Sequence, residues 1–301
     1  MGARFAPSGV LMLLLARGVI NWRMARLLNQ RAKAHPRPHN DWIRTAPPSP
    51  GLERIEAHFS GHGFDPHRHD TYAIGFTLRG VQAFRYRGGA QRSMRGQVFV
   101  LHPDEVHDGH AGTDAGFRYR ILYVAPRLIQ EALGATHRLP FVRDAVSNNA
   151  RLMRAIIPAL ADLDAPLEDL QRDQIIADLA RALTEADPSA ARTNVPPACR
   201  RAVHRARALL DEGSAVTSAE LEAITGLSRY ALARHFRACL GTSPHRYLTM
   251  RRLDRARGLI RDGIPLVEAA LACGFADQSH MTRQFKWACG LSPGRFVALA
   301  A

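Results

Sequence analysis

Two short stretches near the C-terminus carry side chains able to read the edges of base pairs. Arg229, Tyr230, Ala233 and Arg234 fall on one side of a helical pattern whose other side holds Leu232 and Phe236. Gln278, Ser279, His280 and Arg283 stand in the same relation to Met281 and Phe285. Arginine can grip guanine with two hydrogen bonds, glutamine can do so with adenine, and a small side chain can meet the thymine methyl. Arg246, Arg251 and Arg255 lie on the segment between the stretches. Their expected partners are phosphates, which fix register without reporting sequence.

Such side chains need a rigid mount, and a repeat supplies it. Phe236-x4-Gly241-x-Ser243-Pro244-x2-Tyr247 returns as Phe285-x4-Gly290-x-Ser292-Pro293-x2-Phe296, every position displaced by 49 residues. Ser218 is expected to cap a short helix that ends near Thr225, Gly226 to make a turn, and Ser228 to cap a second helix. In the second copy Pro265 opens the first helix and Gly274 turns into another that begins at Gln278. These are two helix-turn-helix units, at about 218–239 and 266–288, the motif that places its second helix in the major groove. The helix between them, from Pro244 to about Arg261, makes a spacer of roughly 25 Å, compatible with the ~34 Å repeat of the duplex.

Charge follows the same division. Residues 199–301 carry sixteen Lys and Arg against eight Asp and Glu, and residues 1–50 carry eight against one. The middle of the chain is close to neutral, within a total of +14. A basic module joined to a domain with another task is the expected organisation. Residues 187–197 are polar and proline-rich and read as the linker. Cys199, Cys239, Cys273 and Cys289 form no CxxC pair, so reduced thiols in a cytoplasmic protein are expected. Residues 1–50 read as a disordered basic extension, or as the product of a misassigned start codon. The apolar run at 10–16 is too short to span a membrane.

Over about residues 200–298 the chain resembles the AraC/XylS family of transcription regulators. Gly226-Leu-Ser228, Ala269-x4-Gly274-Phe275, Arg283-x-Phe285-Lys286 and Gly290-Leu-Ser-Pro293 carry the resemblance. It implies base contacts from Tyr230, Ala233 and Arg234 and from Gln278, Ser279 and Arg283. Ala233 is smaller than the polar residue common at its position.

Upstream, short alternating runs at 54–60, 71–78, 82–86, 97–101 and 117–124 suggest a small β-barrel. Gly61-x5-His67-x-His69, with Gly80, and Gly96-x5-His102-x4-His107 resemble the two motifs of a cupin barrel. Cupin enzymes hold a metal with three histidines and a glutamate, and here the glutamate position falls on Ala73. The resemblance leaves His67, His69 and His107 as a three-imidazole set. It could hold zinc or a similar ion with an open position, or line a pocket with Tyr72 and hydrogen-bond a small effector. No cofactor is expected otherwise.

Two amphipathic helices, 150–163 and 167–186, follow the barrel. The stripe Leu167, Leu170, Ile175, Ile176, Leu179 and Leu183 either packs on its own barrel or forms a homodimer seam. The fold expected is α+β: a cupin-like barrel with accessory helices over 51–186, then an all-α domain over 198–301 with two helix-turn-helix units. The function expected is an effector-responsive, sequence-specific DNA-binding transcription regulator, an activator acting with RNA polymerase, and not an enzyme. The alternative is a metal-dependent cupin enzyme fused to a DNA-targeting domain.

Overall fold

The structure, a computed structural model, describes residues 41–134, 138–187, 189, 195–212 and 216–300. Nine strands occur among them: β1 (Trp42–Thr45), β2 (Leu52–Phe59), β3 (His62–His67), β4 (Tyr72–Tyr86), β5 (Gly89–Met94), β6 (Val98–Leu101), β7 (His107–Ala111), β8 (Phe117–Val124) and β9 (Val146–Ser147). One sheet runs β1-β2-β8-β4-β6-β9, while β7 joins β3 to the far half of β4, which also pairs with β5. The long β4 therefore belongs to both walls of the barrel. It is one strand where sequence suggests two, because Gly80 turns the backbone at φ 70° beside a register shift against β8.

Alternation along the strands sorts side chains to two faces. Ala57, Phe59, Phe84, Phe99, Phe117, Tyr119 and Ile121 fill the barrel. Tyr72, Ile74, Phe76, Leu122 and Val124 face outward under a helical layer of α1 (Pro126–Ala132), α2 (Ala150–Leu160) and α3 (Asp169–Glu185). Two expectations change here. Ile175, Ile176, Leu179 and Leu183 are buried in this same core, so they hold α3 to its own barrel and offer no dimer seam; Leu170 stays exposed. The extension expected over 1–50 is also too long. Residues 42–45 form β1, whose pairing with β2 buries Ile43. Residues 1–40 lie outside the described residues.

Polar groups fasten barrel to helices. Arg54, fully buried, donates to the carbonyls of Ala159, Asp162 and Ala165 at 3.2, 3.0 and 2.8 Å. Arg120 donates to Leu160 and Ala161 at 2.6 and 3.0 Å. Both cations thus occupy the C-terminal end of α2, where carbonyls lack intrahelical partners. Glu56, with no exposed side-chain surface, pairs with Arg118 and Arg120.

The helical domain comprises α4 (Pro197–Asp211), α5 (Ser218–Thr225), α6 (Arg229–Leu240), α7 (Pro244–Arg261), α8 (Leu266–Ala272), α9 (Gln278–Cys289) and α10 (Pro293–Leu299). Thr217, rather than Ser218, is the N-cap of α5, in a capping box with Glu220. Two cores form around the repeated phenylalanines, Phe236 in one and Phe285 in the other. Val195 already belongs to the first, so the linker ends earlier than expected; most of it lies outside the described residues.

Candidate DNA-reading helices and interdomain cavity

Side-chain caps set the two reading helices, Ser228 as expected from sequence and Asp277 in the second. Ser228 accepts from the Ala231 N–H at 3.3 Å, and Asp277 accepts from His280 N–H at 2.7 Å. Leu232 and Phe236 anchor α6, and Met281 and Phe285 anchor α9. Arg229, Tyr230 and Arg234 are exposed on α6, with Ala233 half-buried between them. On α9, Ser279 and Arg283 are exposed, and Gln278 and His280 are half-buried. Arg229 lies 5.1 Å over the Tyr230 ring, and His280 meets the edge of Phe275.

The spacer helix behaves differently from the reading helices. Arg246 is buried, donates to the carbonyl of Arg68 and lies 3.8 Å from Asp104. Arg251 pairs with Asp70 at 2.8 Å and Asp254 at 3.2 Å. Both point into the barrel, so neither is offered to a phosphate in this arrangement. Arg255 is exposed and donates to the carbonyl of Glu212 at 3.4 Å. A polar helix face reads the same in sequence whether solvent or a second domain covers it.

The two domains meet along this helix and the end of α9. Arg257 grips both oxygens of Glu53 at 3.1 and 2.5 Å. Lys286 reaches Asp65 at 2.7 Å, which with the attached hydrogen bond holds that carboxyl below its ordinary range. The backbone joins in: Asp65 N–H donates to Gly290 and Arg68 N–H to Trp287, each at 3.0 Å. Leu291 and Leu299 of the helical domain complete the barrel's own core.

Between them lies a cavity of about 350 Å³. Its barrel wall includes Ile43, Glu53, His67, His69, Asp70, Tyr119 and Tyr123; its helical wall includes Met250, Arg251, Leu253, Asp254, Arg257, Cys289, Leu291 and Phe296. Sequence reasoning missed the helical wall because its residues lie nearly 200 positions away from the histidines. Burial raises the Cys289 thiol to about 11 and Asp254 to about 6. The Asp254 side chain is 44% exposed and borders the cavity.

The three histidines converge as expected. Ring centroids of His67, His69 and His107 stand 4.2, 4.9 and 6.2 Å apart pairwise. Each donates its Nδ1 hydrogen to a carbonyl: His67 to Asp65 at 2.8 Å, His69 to Thr71 at 2.9 Å, His107 to Glu105 at 3.0 Å. A carbonyl only accepts, so each Nε2 carries the lone pair. Burial, followed by repulsion between the rings, drives His67 and His69 well below their ordinary value; burial brings His107 to about 4. The nitrogens suit a metal. Even so, among the described residues no three His, Cys, Asp or Glu side chains are placed to hold one, and Ala73 offers no carboxylate. The set does not fit a cupin metal as it stands.

Tyr72 is not part of this site. Its hydroxyl donates to the carbonyl of Pro140 at 2.8 Å, and its ring lies in the core on the opposite face of the sheet. Tyr119 and Tyr123 of β8 take the place expected for it. His102 also lies apart, accepting from the Val142 N–H at 3.0 Å and bonding the Tyr86 hydroxyl at 2.9 Å.

Burial lowers His102 to about 3, which gives stability a pH dependence of known sign. Above pH ~6.5 the imidazole is neutral in both folded and unfolded chains. Below that, the unfolded chain binds a proton that the folded barrel refuses until about pH 3. Stability is therefore complete above the unfolded pKa and falls with pH, by about 2 kcal/mol from this group at pH 5. Urea unfolding at pH 7 and pH 5 should show His102→Gln losing less stability over that interval than the parent; equal losses would remove His102 as the source.

Comparison with known proteins agrees with this architecture. Residues 49–181 match the model of the AraC-like ligand-binding domain, and residues 221–298 match a helix-turn-helix domain. The chain belongs to the AraC-type transcription regulators, DNA-binding proteins rather than enzymes. It is 27% identical to the uncharacterized HTH-type transcriptional regulator YbfI of Bacillus subtilis, over 72% of this chain and 81% of that protein. It is 28% identical to the HTH-type transcriptional activator RhaS of Yersinia pestis, over 79% and 91%. ToxT from Vibrio cholerae shares the fold, with a TM-score of 0.60 at 11% identity, covering 83% of this chain and 98% of that one. ToxT has also been solved with (E)-4-(8-methylnaphthalen-1-yl)but-3-enoic acid bound. No helix among the described residues is long and apolar enough to cross a membrane.

Proposed function

We propose that the chain is an effector-responsive activator whose small-molecule site is the cavity between barrel and helical domain. The carrying observation is that both domains line one cavity of about 350 Å³. A ligand there touches the barrel and the spacer helix together, so it can favour one docking arrangement over another, which is what coupling requires. Relatives that are transcription regulators and a fold neighbour solved with a small acid support the same reading. Arg229, Tyr230, Ala233, Arg234, Gln278, Ser279, His280 and Arg283 read base pairs, and Arg255 meets phosphate. Arg246 and Arg251 reach phosphates only once released from Arg68, Asp104 and Asp70. The regulator works in the cytoplasm as a homodimer and contacts RNA polymerase at the promoter.

The test compares the intact chain with residues 195–301 on promoter DNA, across a metabolite library. The intact chain should respond to an effector and the shorter piece should bind DNA without responding. A response retained by the piece would place the effector elsewhere. Of the three histidines His67 and His69 line the cavity and His107 stands behind them; elemental analysis of the same preparation decides their alternative role, since stoichiometric metal would make all three ligands. Within the DNA face, Arg283→Ala should weaken specific binding by about 1–3 kcal/mol and relax preference at adjacent base pairs. Footprinting with equal loss on specific and random DNA would remove Arg283 from base reading.

A further inference from the structure

We infer that Asp104 and Asp65 of the barrel are positioning residues for DNA reading. Each holds the C-terminal end of one reading helix, and together they fix the separation at which α6 and α9 meet the duplex. The inference concerns how the two readers are held and does not depend on the effector cavity.

The repeat carries the argument. Arg237 lies in the last turn of α6 and Lys286 in the last turn of α9, and the two positions correspond under the 49-residue offset. Both cations are exposed, and each is met by a barrel carboxylate. Asp104 stands 3.6 Å from Arg237, and Asp65 stands 2.7 Å from Lys286. The glycines that end the helices lie against the same two segments of the barrel, Gly241 beside Pro103 and Gly290 beside Phe64 and Asp65. Equivalent ends of equivalent helices are thus held by β3 and by the turn between β6 and β7.

The two grips are built differently. Asp104 is 10% exposed and gathers Arg246 of α7 at 3.8 Å and Arg68 of the barrel at 3.5 Å as well as Arg237. Its backbone rests at φ 62°, a conformation aspartate tolerates better than most residues, and its N–H donates to the carbonyl of His69 at 2.7 Å. At the α9 end the barrel adds main chain to charge. The N–H groups of Asp65 and Arg68 donate to the carbonyls of Gly290 and Trp287, each at 3.0 Å, where a helix runs out of partners of its own.

These grips matter because the two readers share little else. Phe236 and Phe285 lie in separate cores, and α7 gives Tyr247 and Leu248 to the first but Met250 and Leu253 to the second. The barrel is a further body that touches both units. It leaves the reading faces free, since Arg229, Tyr230, Arg234, Ser279 and Arg283 are all exposed with the barrel in place. Groups held before binding lose less freedom on binding. Two readers held at one separation favour half-sites one helical turn apart, about 10–10.5 base pairs.

The experiment uses the intact chain and a two-site duplex that it selects from a random library. Fluorescence anisotropy compares this duplex with one carrying a single inserted base pair between the half-sites, which turns the second site by about 35°. The parent should bind the inserted duplex about tenfold or more weakly. Asp104→Asn should bind the selected duplex about tenfold more weakly than the parent. It should also lose most of the preference between the two duplexes, because α6 can then follow the shifted half-site. Asp65→Asn should do the same to a smaller degree, since the backbone bonds to Gly290 and Trp287 remain. Asparagine keeps the shape of both side chains and tolerates the backbone at 104, and thermal unfolding verifies that each variant folds. Asp41→Asn is the control: Asp41 joins the barrel to Arg295 of α10 at 3.4 Å, away from either reader, and its loss should leave the spacing preference intact. Tighter DNA binding by Asp104→Asn would show that docking opposes reading and would overturn the inference. So would an equal loss on both duplexes, or the same loss of preference in Asp41→Asn. A parent that selects no two-site duplex would instead overturn the paired readers themselves, a failure distinct from that of the positioning role.

Discussion

Glu56→Ala should destabilise the chain by about 3–5 kcal/mol, the range for stripping one partner from a buried ionic group. Glu56 has no exposed side-chain surface, and Arg118 and Arg120 are 20% and 8% exposed. Its removal leaves two guanidiniums in a site too dry to solvate them. Arg120 would keep the carbonyls of Leu160 and Ala161, which limits the loss. The penalty comes from the abandoned charges, so Glu56→Met combined with Arg118→Leu and Arg120→Leu should recover much of it. Urea unfolding reads both variants. A Glu56→Ala midpoint equal to the parent's would show that the arginines find other partners. The triple variant falling below the single one would show that the charges stabilise the barrel outright.

Gly290→Ala should separate the domains without unfolding either. Gly290 caps α9 at φ 68°, and a Cβ there would stand 2.6 Å from His67 Nδ1 and 2.8 Å from the Asp65 carbonyl. Those atoms belong to the barrel, and the carbonyl is backbone, so it cannot swing away. Gly226 is the matched control: it caps α5 at φ 69° with nothing within 4 Å of an added Cβ. Alanine at either site incurs the left-handed penalty of about 1–2 kcal/mol. Only at Gly290 does it also displace β3. Gly290→Ala should therefore expand the small-angle scattering profile, expose the interface to protease and abolish the effector response, while Gly226→Ala does none of these. Identical behaviour of the two variants would mean that the interface yields elsewhere.

The helical domain was legible because its signals are local. Ser228, Gly241 and Gly290 act within one turn of their own helices, and the 49-residue offset of Phe236 and Phe285 repeats a whole unit. Strands β3, β5 and β7 were not legible: His62–His67, Gly89–Met94 and His107–Ala111 are polar or glycine-rich, with no clear alternation. The convergence of His67, His69 and His107 followed from motif spacing. The face taken by Tyr72 did not, since it depends on which way the pleat of β4 falls. Arg246, Arg251 and Arg257 show the deeper limit. Their partners Arg68, Asp70 and Glu53 lie on another domain, and no window along the chain contains both sides.

Gly241 and Gly290, the equivalent caps of the two reading helices, both abut the barrel: a Cβ on the first would stand 3.0 Å from Pro103, on the second 3.0 Å from Phe64. The helices therefore stand on one platform by two feet, 49 residues apart. An extra residue within α7 would turn everything after it by about 100° about the helix axis. One foot would leave the platform in the same movement that takes one reader out of phase with the groove. The length of α7 is thus gauged twice, once against the duplex and once against its own barrel. Single-residue insertions or deletions there should be far less tolerated than side-chain changes on its surface.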